Sequence, residues 1–366
     1  MIPAMVSVLH LSTGKSLRGG ERQVMLLHNG LLKKGIKSFL VCNAASELSK
    51  QNIARIQSVP WHGEADPFGL LRFYYHCKKA APEKIHCHDA HALFHGSIIG
   101  ALLGVPIVYT RRVLFSLHDN FISKWKYAHC EALITVSNAV AGQFDAYLPP
   151  EKIHVVHDGV DWNTPMLSRR EARNALGVPE NCRNIGAVGH FTREKNLPLV
   201  LKLAQALRDK YPHVKIVCIG PADFQTGSLP DNIVRAGYKT DAASYYSAFD
   251  LYISSSKREG LGSALIDAVV RNIPAIALDA GGTRDIFPEA WPLVPENTPG
   301  LFIAAVIQAI DNFETAKSDA LICGKRARDI FSVDSMVDGT LRVYRQILRG
   351  KHAANGPAQR SNHNFQ

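Results

Sequence analysis

The sequence has no apolar run near the roughly 18–20 residues of a membrane span, which excludes a helical integral membrane protein. It has no CxxC pair, and its seven cysteines stand singly and in odd number. That argues against a disulfide framework and favours a cytoplasmic setting. No basic leader precedes MIPAMVSVLHLSTGK, so this stretch reads as a first strand and not as a signal peptide. GxGxxG is missing from the first strand–helix turn, which argues against dinucleotide binding there. Nor does any nucleic-acid motif accompany the basic residues, so nucleic acid is not expected as a partner.

What is present is ordinary for a globular protein, with 46% hydrophobic and 20% charged residues in a chain of 366. That length suggests two domains at roughly 100–200 residues each. The net charge of +10 is unevenly placed. Residues 1–161 carry an excess of five cations, 162–338 are balanced, and 339–366 again carry five with no acid. Beyond solubility, such a distribution suits an anionic partner such as a membrane surface or a phosphorylated glycolipid.

Short β-branched runs alternate with helical patterns. Strands are expected at 6–11, 38–43, 84–89, 106–110 and 132–137, then at 184–190, 215–220, 233–238, 251–256 and 275–280. Between the first two, Leu26, Leu27, Leu31 and Leu32 mark the apolar face of a helix over 23–34. Two separate strand–helix series imply two doubly wound α/β domains, over 1–162 and 163–333. The link is expected near 158–168, where DGVDWNTP is turn-rich and Ser168 to Glu171 has the form of a capping box. A last helix over 334–350 is expected to pack back on the first domain, and 351–366 reads as a disordered tail. Open α/β sheets bind ligands at the carboxyl ends of their strands, which puts the expected site in the interdomain cleft.

The most informative stretch is KREGLGSALIDAVVRNIPAIAL, residues 257–278, followed by DAGGT. Gly260 and Gly262 leave amides free where a helix begins, a setting suited to phosphate. Glu259 would repel that phosphate, so its natural partners are hydroxyls or positive charge beside it. Asp267 follows about two helical turns later on roughly the same face, placed to meet a ribose diol.

These residues resemble the donor-site signature of family-four glycosyltransferases of the GT-B fold, in which two glutamates are separated by seven residues. Asp267 stands where the family has the second glutamate. The resemblance runs in order along the chain to about residue 350. It implies a retaining, metal-independent transfer of a sugar from a nucleotide-sugar donor, of UDP, GDP or ADP type, to an acceptor hydroxyl. By the same resemblance Glu259 contacts sugar hydroxyls, Asp267 the ribose and Lys195 the diphosphate. His190 replaces the family's usual arginine, with Arg193 as a possible substitute. Tyr238, Lys239 and Thr240 fall at the base-binding turn. Gly260, Leu261, Gly262, Gly281, Gly282 and Thr283 line the donor, and Gly19-Gly20 closes over it from the first half.

IHCHDAHALFHG (85–96) raises a metal question through His86, His88, His91 and His95, but strand alternation splits the first residues between two faces, and no metal is expected. The resemblance instead places His88, Asp89 and His91 on the acceptor side, with Asp89 or His88 orienting or deprotonating the acceptor. Arg111 and Arg112 would suit a phosphorylated or acidic acceptor. A bacterial subgroup resemblance, over 108–115 and 124–140, points to a lipopolysaccharide core or other cell-envelope glycan, handled at the inner face of the membrane. Two rival readings stay open: a GT-B nucleotide-sugar epimerase, and a non-catalytic nucleotide-sugar or glycan-binding paralogue.

Overall fold

The computed structural model describes residues 6–16, 19–117, 120–191, 193–221, 229–289, 291 and 293–354. A first, all-parallel sheet has seven strands: β1 (Ser7–Ser12), β2 (Lys37–Asn43), β3 (Ile56–Val59), β4 (Lys84–Cys87), β5 (Ile107–Arg111), β6 (Cys130–Thr135) and β7 (Ile153–Val155). Their order is β3-β2-β1-β4-β5-β6-β7. The second sheet has five, β8 (Arg183–Val188), β9 (Val214–Ile219), β10 (Ile233–Gly237), β11 (Leu251–Ser254) and β12 (Ala275–Ala277), in the order β10-β9-β8-β11-β12 and again all parallel. The crossovers carry α1 (Gly19–Lys33), α2 (Pro67–Ala80), α3 (Ala90–Leu103), α4 (Phe121–Ala128) and α5 (Asn138–Ala141) in the first lobe. In the second they carry α6 (Arg169–Leu176), α7 (Leu197–Arg208), α8 (Ser263–Val270), α9 (Pro299–Asp311) and α10 (Phe313–Ile330). A final helix, α11, spans Val333–Ala354.

Alternation along the strands sorts the first lobe into two cores. Val8, Val108 and Ile134 face α1 and α11, where they meet Leu27, Leu31, Val337, Leu341 and Tyr344. Leu9, Leu11, Ile85 and Tyr109 face the opposite layer of α2, α3 and α4, with Phe73, Leu93 and Tyr127. α11 thus packs on the first lobe although it follows the second in sequence. Gly30 permits the close approach, because a Cβ there would crowd the Val337 side chain. The helix reaches Ala354, four residues into the stretch expected as tail, and 355–366 lie outside the described residues. Among the described residues no helix is long and apolar enough to cross a membrane.

The chain passes between the lobes twice, after β7 and between α10 and α11. The crossings touch: Val160 N–H donates to the Phe331 carbonyl (2.8 Å), and a Cβ on Gly159 would lie 2.7 Å from Val333 Cα. The buried Gln23 amide clasps Gly159 from α1, donating to its carbonyl (2.9 Å) and accepting from its N–H (3.1 Å). On the far side of the first crossing, Ser168 and Glu171 form the full capping box that opens α6.

Candidate active site

β11 is fully buried and its chain leaves the sheet at Ser255. There two hydrogen bonds fasten the neighbouring β8–α7 loop: Ser255 Oγ donates to the Lys195 carbonyl (2.7 Å), and Lys257 N–H donates to the Glu194 carbonyl (2.7 Å). Glu259 is then held as if in a further strand. Its N–H donates to the Ala280 carbonyl (2.8 Å), and its carbonyl accepts from Gly282 N–H (3.0 Å). With both backbones fixed, the side chains of Lys195 and Glu259 form an ion pair at 2.7 Å, both only partly buried.

Two helix starts meet at this pair. α7 begins at Asn196 (φ +53°) and α8 at Gly262 (φ +102°), and neither end has a side-chain cap. Orphan amides at such ends carry partial positive charge. The positive φ of Gly262 is a conformation that a side chain strains.

The first lobe closes directly onto this loop. Ser137 Oγ donates to the Gly260 carbonyl at 2.5 Å. A Cβ on Gly260 would overlap the Arg112 carbonyl, and one on Gly281 would press on Leu114. Gly19, at the start of α1, would place a Cβ 3.3 Å from Ser263 Oγ at the start of α8, and Gly20 backs onto Arg112. These glycines therefore serve close approach between the lobes. Farther round, Asp285 Oδ2 accepts from both Asn138 nitrogens (2.9 Å each) and pairs with His157 Nε2 at 3.0 Å.

Several expected site residues have other work. Asp267 is buried, with one oxygen on Arg271 Nη1 (2.7 Å) and the other on Arg22 Nη1 from the first lobe (3.3 Å). Asp89 caps α3: Oδ1 accepts from Ala92 N–H (2.8 Å) and Thr13 Oγ1 (2.5 Å), and Oδ2 from Thr13 N–H (2.7 Å). Both of its oxygens are so engaged, as the N-cap of α3. The Thr283 hydroxyl is fully buried, bonded to Ala280 N–H and the Leu278 carbonyl, so it is withdrawn from any phosphate.

Arg111 and Arg112 are likewise not free for an acidic acceptor. Arg111 donates to the carbonyls of Val113 (3.1 Å) and Phe115 (2.9 Å), shaping the loop that leans on Gly281. Arg112 Nε pairs with buried Asp158 at 3.0 Å, and its Nη1 lies 3.2 Å from His88 Nδ1. Because arginine only donates, His88 must accept at Nδ1 and carry its proton on Nε2. That proton goes to His10 Nδ1 at 2.8 Å, leaving His10 with a buried Nε2–H that meets no acceptor among the described residues. Both ring nitrogens of His88 are thus engaged within the protein. His86, its ring 4.1 Å from that of His88 and tilted by 33°, bonds Tyr344 Oη and Thr110 Oγ1, both at 2.6 Å. Burial holds His10, His86 and His88 well below the usual imidazole pKa, so the column is neutral.

The four histidines weighed for a metal do not converge. His91 is exposed and bonds Glu64 at 2.9 Å, and His95 packs edge-on against Trp61 and Phe73. His10, from β1, takes their place beside His86 and His88, with ligand atoms within 4.8 Å of one another. The nitrogens of His86 and His88 are engaged by hydroxyls, His10 and a guanidinium, which is the pattern of a hydrogen-bonded column.

On the donor side, His190 and Arg193 are exposed on the loop of Lys195, and Leu261 is buried behind it. Tyr238 is exposed, and Lys239 lies over the Tyr245 ring. The structure also brings in residues that sequence reading missed: Arg22, Gln23, His10, Ser137, Asp158, Arg271 and Asp285. Of these only Arg271 left a local signal, the i,i+4 spacing from Asp267. The others meet partners on distant segments.

Residues 17–163 match the family model "Glycosyltransferase Family 4", and residues 168–328 match "Glycosyl transferases group 1". The chain belongs to glycosyltransferase family 4. Among curated relatives of this family-4 enzyme is the lipopolysaccharide core biosynthesis mannosyltransferase LpsB of Rhizobium meliloti, 27% identical over 226 residues. That match spans 56% of this chain and 63% of LpsB, under two thirds of the relative. The putative glycosyltransferase EpsF of Bacillus subtilis is 23% identical over 305 residues, 75% of this chain and 79% of EpsF. Anabaena Alr3699/HepE, solved in complex with UDP, superposes with a TM-score of 0.77 at 16% identity, over 95% of this chain and all of that one. The lipopolysaccharide outer core galactosyltransferase WaaB superposes with a TM-score of 0.66 at 14% identity, over 94% and 99%. These superpositions establish the GT-B fold.

Proposed function

We propose that this enzyme transfers a sugar, with retention at the anomeric carbon, from a nucleotide sugar to a hydroxyl of a cell-envelope glycan or glycolipid, with Lys195 and Glu259 at its centre. The observation that carries the reading is their 2.7 Å ion pair at the junction of two uncapped helix starts. Free of ligand, the two charges neutralise each other. A donor entering between them gives each a new partner. The Lys195 ammonium and the amides of α7 and α8 meet the diphosphate, whose negative charge grows as the glycosidic bond breaks. The Glu259 carboxylate takes sugar hydroxyls and steadies the ring as it becomes oxocarbenium-like. The diphosphate charge is met by these groups with no metal in the scheme. His190 and Arg193 add positive charge at the same loop, and Tyr238 and Lys239 frame the base.

With Asp89 and His88 engaged elsewhere, the acceptor proton goes to no fixed protein base. Retention is then best served by the departing phosphate oxygen itself, on the face where the acceptor enters. Contact between the lobes at Gly260 and Gly281 keeps water from that face, so transfer outruns hydrolysis. UDP is the donor type tried first, because HepE has been solved with UDP and UDP-glucose. LpsB and WaaB, named for lipopolysaccharide core synthesis, support a membrane-borne acceptor, and with it a peripheral place at the cytoplasmic face of the membrane.

A mass-spectrometric panel of UDP-, GDP- and ADP-sugars tests this reading. Slow release of one nucleotide by the wild type and its loss in Glu259→Ala is the expected result. Tight nucleotide binding without turnover on any acceptor would favour a non-catalytic binder, and turnover of donor to an isomer without release would favour an epimerase.

A further inference from the structure

A cavity of about 260 Å3 lies at the amino ends of β11 and β12, the end of the second sheet opposite the donor-side loops. Its walls come from the start of α6, the segment before β11, the turn between α8 and β12, and the start of α10. Neither Lys195 nor Glu259, nor any residue of their loops, lines it.

The charged residues of its lining are Arg169, Arg271, Lys317 and Asp250, so cations prevail. Asp250 is already committed. One of its oxygens is on Arg169, and the other accepts from Arg173 Nη2 (2.9 Å) and Asn184 N–H (2.8 Å). Lys317 pairs with Glu314 at 3.0 Å, but both side chains are open to water, where such a pair holds weakly.

Arg271 is the anchor. Its side chain is 4% exposed, and Nη1 donates to Asp267 Oδ1 (2.7 Å) and to the Asp267 carbonyl (2.9 Å). Nε and Nη2, the side-on fork of the guanidinium, have no hydrogen-bond partner among the described residues. The Tyr246 ring, centred 5.5 Å from Cζ, offers a cation–π contact and not a hydrogen bond. Ser247 Oγ, of the same lining, also meets no partner there. Burying a charged donor without an acceptor is costly, so a fork left open in this way calls for an acceptor from outside the chain.

Guanidinium, ammonium and hydroxyl together suit phosphate. A carboxylate has two oxygens, which the fork alone would satisfy, whereas a phosphate group has further oxygens for Ser247 and Lys317. The volume is several times the roughly 30 Å3 share of one water but below the roughly 300 Å3 at which ligand pockets begin, so the occupant is small.

We propose that this cavity binds a phosphate group, as inorganic phosphate or as a small phosphate monoester, on the fork of Arg271. The occupant braces the same guanidinium that holds Asp267, and through Asp267 the Arg22 of the first lobe.

The full chain carrying Lys195→Ala, which lacks the cleft's diphosphate cation, is titrated calorimetrically with inorganic phosphate and with glycerol 3-phosphate. One bound phosphate per chain is expected. In that background Ser247→Ala and, separately, Lys317→Glu should weaken binding about fivefold, the worth of one hydrogen bond or one rim charge. Arg271→Lys, which keeps the charge and loses the fork, should weaken it about tenfold or more. Melting temperatures without phosphate should be unchanged in the Ser247 and Lys317 variants, so the result does not hang on the buried arginine. Tighter binding of the ester identifies a phosphorylated metabolite as the occupant, and equal affinities identify inorganic phosphate; either supports the site. No binding, or binding that none of the three variants weakens, overturns the proposal. So does phosphate bound by the wild type and lost in Lys195→Ala, which assigns it to the donor cleft.

Discussion

Arg22, on the first turns of α1, reaches across the cleft to Asp267 on α8, 245 residues away, at 3.3 Å. Arg271 holds the other carboxylate oxygen at 2.7 Å. A glutamate at 267 would push its charge one methylene farther. The shorter aspartate stays within its own helix face and draws the first lobe to it. Removing this charge leaves Arg271, only 4% exposed, without its counter-ion. Asp267→Asn should therefore cost about 3 kcal/mol in chemical denaturation, whereas Arg22→Ala, at an arginine one-third exposed, should cost well under 1 kcal/mol. Equal losses would show that the interlobe half of the clasp carries the stability.

Lys195→Ala and Glu259→Ala should each lower kcat/KM by about a hundredfold or more with little change in melting temperature, because neither side chain is buried in a core. The double variant should fall no further than the worse single one, since both act on one bound donor. Multiplying losses would argue for separate roles.

Gly260→Ala tests closure. The new methyl would overlap the Arg112 carbonyl of the opposite lobe, and the cheapest relief is to part the lobes. Small-angle scattering should show a larger radius of gyration, and transfer should drop more than tenfold. Gly142→Ala, where a Cβ meets nothing, is the control and should change neither.

The histidine column predicts acid sensitivity. His10, His86 and His88 stay neutral in the folded protein because burial lowers their pKa, and Arg112 opposes their protonation further. In the unfolded chain they protonate near pH 6.5. Below that pH the unfolded state binds up to three more protons, so stability falls as pH falls. The limiting slope is about 4 kcal/mol per pH unit. Denaturation midpoints at pH 7.5, 6.5 and 5.5 measure it. A flat profile would mean that the column is protonated or hydrated in the native state.

Much of this architecture was legible in the sequence because parallel strands buried on both faces leave apolar runs that stand out. The runs at 6–11, 106–110 and 215–220 fall on β1, β5 and β9. β3 and β7 were missed for the converse reason: both are edge strands, IQSV and IHV, short and largely uncovered. At the site, Lys195, Glu259 and the glycines were readable because local chemistry marks them. Asp89, His88, Arg111 and Arg112 were found, but the partners they bond in this structure were not. Those are Thr13, His10, Asp158 and the Phe115 carbonyl, which only the fold brings near.

Gly159 lies where the two interlobe segments touch, pinched against Val333 and gripped by Gln23. A body joined to another by two straps fastened at a single point can turn about that point but cannot slide. Opening of the two lobes is therefore a rotation about that point. Any such rotation that widens the cleft must unseat Gly260 from Arg112 and part Arg22 from Asp267.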